Sequence, residues 1–453
     1  MKFISVRSGL VRTAHTVPLA AVCLASVLGA APAESPPEVL SPPTISRWVE
    51  VMRTNLPALA AAGERFRAAT FNAQGVRRFE DPKALFGGAV YSPNGMSPSQ
   101  EGNLIYGIEQ PLPILGKETA ARQKAQAQAG VEAARVDLIF QESRRDLTAA
   151  LFAAALARRT VELGREDLDA LRSNVTAAEA RFRSGEGTTV DVLRLQSELA
   201  RRESEVRSST QALAAALAAV NRTLGRDPEA PLPSLVLPAP AEELSLSPEL
   251  IRLALRSEAG LQVLDRERTA AESSLTSSRR QRRPDLGLGV AGRQYSGDGG
   301  FRQGQFTLSV SLPWFNREQY RRDIQRDEAQ LQAVRQDTAG RELGLREEIY
   351  RLGTAIEAAR QTALSYHDEI LPQTEAAQAA AISAWMSGRG SLTDVLDTRR
   401  ARLQAQVEEA RAIAEQWSAL GELVLCCGLG DLDSLFQLSG RSASPNTLAA
   451  PRG

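Results

Sequence analysis

The sequence is short of the residues that build most catalytic and metal sites. Of its 453 residues, three are cysteine and two are histidine. Cys426 and Cys427 are adjacent and Cys23 stands apart, which gives neither a disulfide framework nor a metal-ligand spacing. The adjacent pair reads as packing near a helix end. His15 falls in the N-terminal leader, so His367 is the histidine left for chemistry. Between Tyr366 and Asp368, it reads as a solvated helix-face residue. There is no Gly-rich phosphate loop, no nucleophile elbow and no His/Cys/carboxylate cluster. No catalytic residue, cofactor or metal site is expected, and the chain reads as a non-enzyme. An excess of one charge is also lacking. The 54 basic and 54 acidic side chains balance, which argues against nucleic acid as a partner. Aromatics make up 5% of the chain, thin for a conventional mixed core.

What is present begins with a leader. Lys2, Arg7 and Arg12 precede an apolar stretch over Val17–Ala31, and Ala31-Pro32-Ala33 is a small-x-small cleavage site. A signal peptide over 1–33 is expected, with Glu34 as the first mature residue. The stretch is too short for a good membrane helix. Cys23 invites a lipoprotein reading, but Val22 precedes it and the apolar region continues past it.

The chain then repeats itself. Ser184-Gly185-Glu186-Gly187-Thr188-Thr189-Val190-Asp191-Val192-Leu193 corresponds to Ser387-Gly388-Arg389-Gly390-Ser391-Leu392-Thr393-Asp394-Val395-Leu396. Phe182 and Trp385 precede them. Leu112-Pro113-Ile114-Leu115-Gly116-Lys117 likewise corresponds to Leu312-Pro313-Trp314-Phe315-Asn316-Arg317. Two features in the same order at nearly the same offset indicate a duplication. The expected organisation is a first repeat over 34–224, a Pro-rich linker over 225–248, a second repeat over 249–428 and a disordered tail over 429–453. Pro228, Pro231, Pro233, Pro238 and Pro240 forbid continued helix in the linker.

Each repeat has two strand-like segments and two long helices. Phe306, Leu308, Val310 and Leu312 alternate with Gln305, Thr307, Ser309 and Ser311, which places the two sets on opposite faces of a sheet. Leu286, Leu288 and Val290 alternate with small residues in the partner strand, and Asp298-Gly299-Gly300 lies between the two. Leu104, Tyr106 and Ile108 repeat the pattern in the first half, and Leu85–Tyr91 is its weakest strand. Runs of about ten residues suit tilted membrane strands. A soluble two-sheet domain is the alternative from strand pattern alone. From Lys117 to Arg183 there is no proline, so one helix of roughly 100 Å is expected at about 1.5 Å per residue. Val192, Leu199, Val206, Leu213 and Val220 step by seven, as do Leu396, Leu403, Ala410, Trp417 and Val424. Leu168, Leu171, Val175, Ala178 and Phe182 alternate threes and fours. Such spacing is a coiled-coil seam. Pro372 is expected to bend the second long helix.

These residues resemble the TolC-like outer-membrane efflux family over about Thr44 to Gly428. The resemblance rests on the duplication, the strand-to-helix junctions and the Gly-x(5)-Asp-Val-Leu turns at Gly185 and Gly388. The segments Gln110-Pro111-Leu112-Pro113, Arg283-Pro284-Asp285-Leu286 and Leu312–Gln319 are similar to the heavy-metal (cobalt-zinc-cadmium type) resistance branch. The resemblance implies a mainly α fold with a small membrane β-barrel. Each subunit would supply long helical hairpin coiled coils and four β-strands. A homotrimer would form a 12-stranded barrel in outer-membrane lipid and an α-barrel in the periplasm. It further implies a periplasmic adaptor and an inner-membrane RND-type pump as partners, with metal cations as the first cargo to consider. Drugs or secreted proteins are the other cargoes of such a family. A periplasmic coiled-coil scaffold without a pore, or a cytosolic coiled coil, is the rival from a different class.

The resemblance also places Gly185 and Gly388 at the periplasmic tips of two helical hairpins. Glycine permits the reversed backbone of a tight turn. Thr188 or Thr189, and Ser391 or Thr393, are candidate caps for the returning helices. Asp191 and Asp394 put negative charge where the helix dipole favours it. Two readings stand side by side: structural capping alone, or a gate and adaptor-docking site in which Arg389 pairs with Asp191 or Asp394. Pro113 and Pro313 are read as corners between strand and helix. Trp314 and Phe315 suit either the membrane interface or internal packing.

Overall fold

The computed structural model of the protein describes residues 37–89, 103–244, 247–295, 300–430, 432 and 434–435. The expected signal peptide, Cys23, Tyr91, Asp298, Gly299 and the tail beyond Ser439 lie outside the described residues. In chain order the elements are β1 (Glu38–Val39), α1 (Pro42–Asn55), α2 (Pro57–Gly75), β2 (Lys83–Ala89) and β3 (Asn103–Leu112). Then come α3 (Lys117–Arg183), α4 (Thr189–Thr223), β4 (Leu235–Val236), α5 (Pro248–Ser257) and α6 (Ala259–Gln281). The chain continues with β5 (Leu286–Tyr295), β6 (Phe301–Val310), α7 (Arg317–Ser365), α8 (Leu371–Met386) and α9 (Leu392–Cys426).

The helix α3 is a single element of 67 residues, about 100 Å long. Its counterpart in the second repeat is broken. A π-turn over Tyr366–Ile370 separates α7 from α8. Pro372 has no amide to give to residue 368 and its ring crowds that carbonyl. The wider turn absorbs the conflict without ending the helix.

Strands β2, β3, β5 and β6 form one antiparallel sheet in that order. The β3–β5 pairing, with Ile108 opposite Val290 and Leu112 opposite Leu286, joins the two repeats. Corner ties reinforce it. Lys117 meets Asp285 at 2.7 Å, and Arg283 donates to the Leu115 carbonyl at 2.9 Å. Pro113 directly follows β3, and Pro313 opens a short 3-10 turn after β6. One sheet face carries Phe86, Tyr106, Ile108, Leu288, Val290, Phe306 and Leu308, all exposed in the single chain. Phe306 is 88% exposed and Phe86 82%, so this apolar face has no cover among the described residues. That corrects the soluble two-sheet alternative. The only other sheet among the described residues is the two-residue β1–β4 pair, elsewhere in the fold.

The main core lies where the helices of both repeats converge. Leu147, Leu151 and Phe152 of α3 pack with Ile349 and Leu352 of α7, Trp417 and Leu420 of α9, and Met52 of α1. Phe152 and Trp417 stack with ring centroids 6.0 Å apart. The Pro-rich linker is bound into this core. Leu235 is buried, Gln416 holds both the amide and the carbonyl of Ala241, and Trp417 donates to the Ala239 carbonyl. Packing also runs past the expected boundary at 428. Leu432 and Leu435 are buried, and Arg144 donates to the carbonyls of Leu429 and Gly430. The last helix end of each repeat is docked the same way. Gly225 (φ 69°) abuts the Asn55 carbonyl between α1 and α2, and Gly428 (φ 60°) abuts the Ser257 carbonyl between α5 and α6.

A Cβ at Gly428 would overlap Ser257, whereas one at Gly430 meets open space. Gly428→Ala should destabilise the protein by more than about 1 kcal/mol, and Gly430→Ala should stay within about 0.5 kcal/mol. Urea unfolding of the two detergent-purified variants measures this; equal midpoints would show that the docking is loose.

Candidate functional site: the hairpin tips and the seam above them

At each tip the chain reverses by one hydrogen-bond scheme, displaced by 203 residues. Gly185 (φ 79°) donates to the Phe182 carbonyl at 3.1 Å, and Glu186 donates to Arg181 at 3.0 Å. Gly388 (φ 74°) donates to Trp385 at 3.0 Å, and Arg389 donates to Ala384 at 2.9 Å. These are helix-ending turns whose left-handed residue only glycine adopts without cost. The returning helices are capped at once. The Thr188 hydroxyl accepts from the Asp191 amide at 3.2 Å, and the Ser391 hydroxyl accepts from the Asp394 amide at 3.2 Å. Of the alternative caps, then, Thr188 and Ser391 act and Thr189 and Thr393 do not. The Asp394 carboxylate reaches back to the Ser391 amide at 3.3 Å, completing a reciprocal capping box.

The expected pairing of Arg389 is absent within the chain. Its Nε donates to Ser387 Oγ at 3.2 Å, and none of the described carboxylates lies within ion-pair distance. Asp394 is engaged in its cap, and the Asp191 side chain has no partner among the described residues. The six tip residues thus form two self-sufficient turns, each exposing charge at the end of its hairpin.

The strongest electrostatic feature lies about ten residues above the tips. Arg399 of α9 is 2% exposed. It donates to Asp167 of α3 at 3.1 Å and to Glu198 of α4 at 3.0 Å. Arg400 clamps both oxygens of Glu198, at 2.7 and 3.2 Å. Arg201 reaches Glu198 at 2.8 Å and Arg202 reaches Asp167 at 2.8 Å. One cluster therefore ties both helices of the first hairpin to the second. Below it Leu171, Val175, Ala178, Leu195, Trp385, Leu392, Val395 and Leu396 make an apolar cluster, and Arg181 lies 5.2 Å over the Trp385 ring.

Burial pushes Glu198 up, but the hydrogen bonds from Arg400 and Arg201 outweigh it and hold the carboxyl at about 2. For Asp167 burial wins over Arg399 and Arg202, so its carboxyl lies above the usual value. Burial likewise draws the Arg399 guanidinium down. The sequence carried a signal for this cluster that pattern reading passed over. Arg399 follows Leu392, Val395 and Leu396 at seam spacing, Glu198 follows Leu195, and Asp167 precedes Leu168 and Leu171. Charges of both signs standing in apolar seams mark partners across helices.

The other singled-out residues are quieter. His367 is exposed, with Nδ1 2.7 Å from Glu409. Cys426 and Cys427 are buried, and desolvation pushes both thiols up, Cys427 to about 12. Trp314 and Phe315 are exposed beside the sheet.

The family described as outer membrane efflux protein matches residues 49–226 and 250–429, both repeats almost whole. The chain belongs to that family. The family is one of outer-membrane efflux proteins, neither enzymes nor coiled-coil scaffolds. The chain is 26% identical over 226 residues to Protein CyaE of Bordetella pertussis, covering 48% of each chain, so it spans about half of that relative. It is 23% identical over 326 residues to the cobalt-zinc-cadmium resistance protein CzcC of Cupriavidus metallidurans, covering 68% of this chain and 73% of that protein. The outer-membrane channel OprN shares its fold, with a TM-score of 0.75 at 18% identity over 86% of this chain and 90% of that one.

Removing Arg399 from the efflux protein leaves Asp167 buried beside fewer cations. Arg399→Ala should cost about 3–5 kcal/mol, and the exposed Arg389→Ala less than about 0.5 kcal/mol. The pH dependence has a definite sign. Glu198 is held below its ordinary 4.5, so its stabilisation is complete above that pH and is lost as pH falls towards 2. Asp167 shifts the opposite way and takes up its proton earlier on acidification. Thermal midpoints between pH 5 and pH 2 should fall more steeply in wild type than in Glu198→Gln; parallel curves would remove Glu198 from the acid response.

Proposed function

We propose that three copies of the chain close a 12-stranded barrel in the outer membrane and continue as a tube of helical hairpins into the periplasm. In this reading the chain is the outer component of a tripartite efflux system and conducts passively. A periplasmic adaptor docks at the tips, and an inner-membrane RND-type pump supplies the drive. The observation that carries the reading is the sheet. It has four strands, two open edges and a continuous uncovered apolar face. Ten-residue strands reach about 33 Å, which a tilt near 45° reduces to roughly the apolar height of a bilayer. An open edge is not viable in lipid, so the edges β2 and β6 call for copies of one another. The hairpins, built on helices as long as the roughly 100 Å α3, supply the periplasmic conduit.

The gate and docking site lie at Gly185, Thr188, Asp191, Gly388, Arg389 and Asp394. Because Asp191 and Arg389 have no ion partner among the described residues, they are free to meet groups on a neighbouring copy or on the adaptor. Metal cations are the cargo this reading favours, supported by the likeness to the cobalt-zinc-cadmium resistance protein. They are substrate here, not a resident cofactor.

Purified protein in a planar bilayer should give small, mostly closed currents that grow in Asp191→Ala plus Arg389→Ala. Thr188 still caps α4 in that variant, so a change in current reports the gate and not the fold. Membrane-inserted protein without current would end the channel reading. In cells, deletion should raise sensitivity to cobalt, zinc and cadmium; unchanged metal tolerance with altered drug tolerance would replace the cargo and keep the channel.

A further inference from the structure

The four strand ends that meet the helices share one rim of the sheet. Lys83 pairs with Glu109, Leu112 with Leu286 and Leu286 with Val310, so β2 and β5 start where β3 and β6 end. Positive charge collects on this rim. The twelve residues that flank each strand there, 71–82, 113–124, 274–285 and 311–322, hold twelve basic and five acidic side chains. The next twelve along each helix, 59–70, 125–136, 262–273 and 323–334, hold six basic and eight acidic. The excess is therefore confined to the first 18 Å or so of helix. Carboxylates do not cancel it. Arg78, Arg122, Arg282, Arg283 and Arg317 are exposed, and none has a described carboxylate within ion-pair distance. Arg122 and Arg283 donate to the backbone carbonyls of Val76 and Leu115, which leaves their charge in place.

Aromatic rings stand among these charges. Trp314 and Phe315 precede Arg317 and are 60% and 79% exposed, and the Arg78 guanidinium lies 5.9 Å over the exposed Phe79 ring. We propose that this rim is a binding site for anionic phospholipid headgroups, those of the leaflet that adjoins the helices. The proposal rests on the membrane barrel argued above. In that barrel the uncovered apolar face ends near Val310 and Leu312, so the rim falls where acyl chains give way to headgroups. An exposed aromatic ring is at home in that layer, and a guanidinium beside it can reach phosphate oxygens in a two-pronged contact.

Charge complementarity names the occupant. A zwitterionic headgroup brings an ammonium that a row of arginines repels, whereas an anionic one brings only attraction, and each cation near such a surface adds to the preference. An acidic protein is disfavoured by the height of the patch. A protein docked from the helical side would meet the helices below the rim, where the sign reverses. The bound lipid also has a mechanical role. Lys117–Asp285 and Arg283–Leu115 already brace the corner, so headgroups held on it fix the depth at which sheet hands over to helix.

Trp314 supplies the reporter, since Trp48, Trp385 and Trp417 are buried. The full protein is reconstituted at low salt into vesicles of phosphatidylcholine with a minority of phosphatidylglycerol, and one lipid or the other carries brominated chains that quench tryptophan. Trp314→Phe subtracts the contribution of the buried rings. Arg282→Gln/Arg317→Gln removes two charges that, among the described residues, hold no other element in place. Wild type should be quenched by phosphatidylglycerol with about a fivefold preference over its mole fraction, the equivalent of one cation at an anionic surface. The Gln variant should lose most of that preference, and Arg282→Lys/Arg317→Lys should keep it. Equal quenching by the two lipids in wild type, or a preference unchanged in the Gln variant, would overturn the headgroup site. A preference abolished by inorganic phosphate but not by sodium chloride of equal ionic strength would overturn it in favour of a free-phosphate site. No quenching by either lipid would put the rim outside the membrane, a separate failure of the proposed barrel.

Discussion

A backbone amide or carbonyl without a partner costs several kcal/mol in hydrocarbon, and a four-stranded sheet leaves two rows of them. That constraint orders the rest of the molecule. The apolar face of β2, β3, β5 and β6 has no cover among the described residues; in the proposed barrel it faces lipid, and edge β2 meets edge β6 of a neighbouring copy. The pairing of β3 with β5 brings one strand pair from each repeat into a single sheet, so the duplication is what gives a subunit its four-stranded arc. Corners at Pro113 and Pro313, with the Lys117–Asp285 and Arg283–Leu115 ties, turn the chain from strand to helix at the sheet's end.

Below the corners the problem changes from edges to length. A helix such as α3, about 100 Å long, cannot be held straight by its ends. The core around Phe152 and Trp417 grips it mid-length, together with α1, α5 and the linker. The linker's role follows from its prolines. They deny it helix, and the free backbone groups are then satisfied by Gln416, Trp417 and the short β1–β4 pairing. Beyond the core the helices are held mainly by partly buried heptad residues, until the ion cluster and the Trp385 pocket fix the tips.

The architecture was largely legible in the sequence because its rules are local. Period-two alternation gave the sheet faces, absence of proline gave α3 from Lys117 to Arg183, and the paired Gly-x(5)-Asp-Val-Leu segments gave the tips. Where the reading fell short, tertiary context decided. Proline content marked 225–248 as a connector but could not show that it is docked, and Leu432 and Leu435 are too few to announce a buried continuation beyond 428. Pro372 signalled a break, and the chain resolved it as a π-turn. At the tips the aspartates were visible as charges, yet cap geometry decides that Asp394 is engaged while the Asp191 side chain is not. The Arg399 cluster was missed because its three members lie on three helices and each alone looks like a solvated charge.

Duplication fixes geometry and divergence assigns function. The turns at Gly185 and Gly388 kept one hydrogen-bond scheme because any other would misdirect a long hairpin. The residues around them were free to differ, and they differ in one direction. The second hairpin carries Trp385 and Arg399, both buried against the first, while the corresponding positions in the first hold Phe182 and Gln196 on the surface. Burying charges is justified only where the contact must not slip, since removing one partner is costly and the pair itself contributes little net stability.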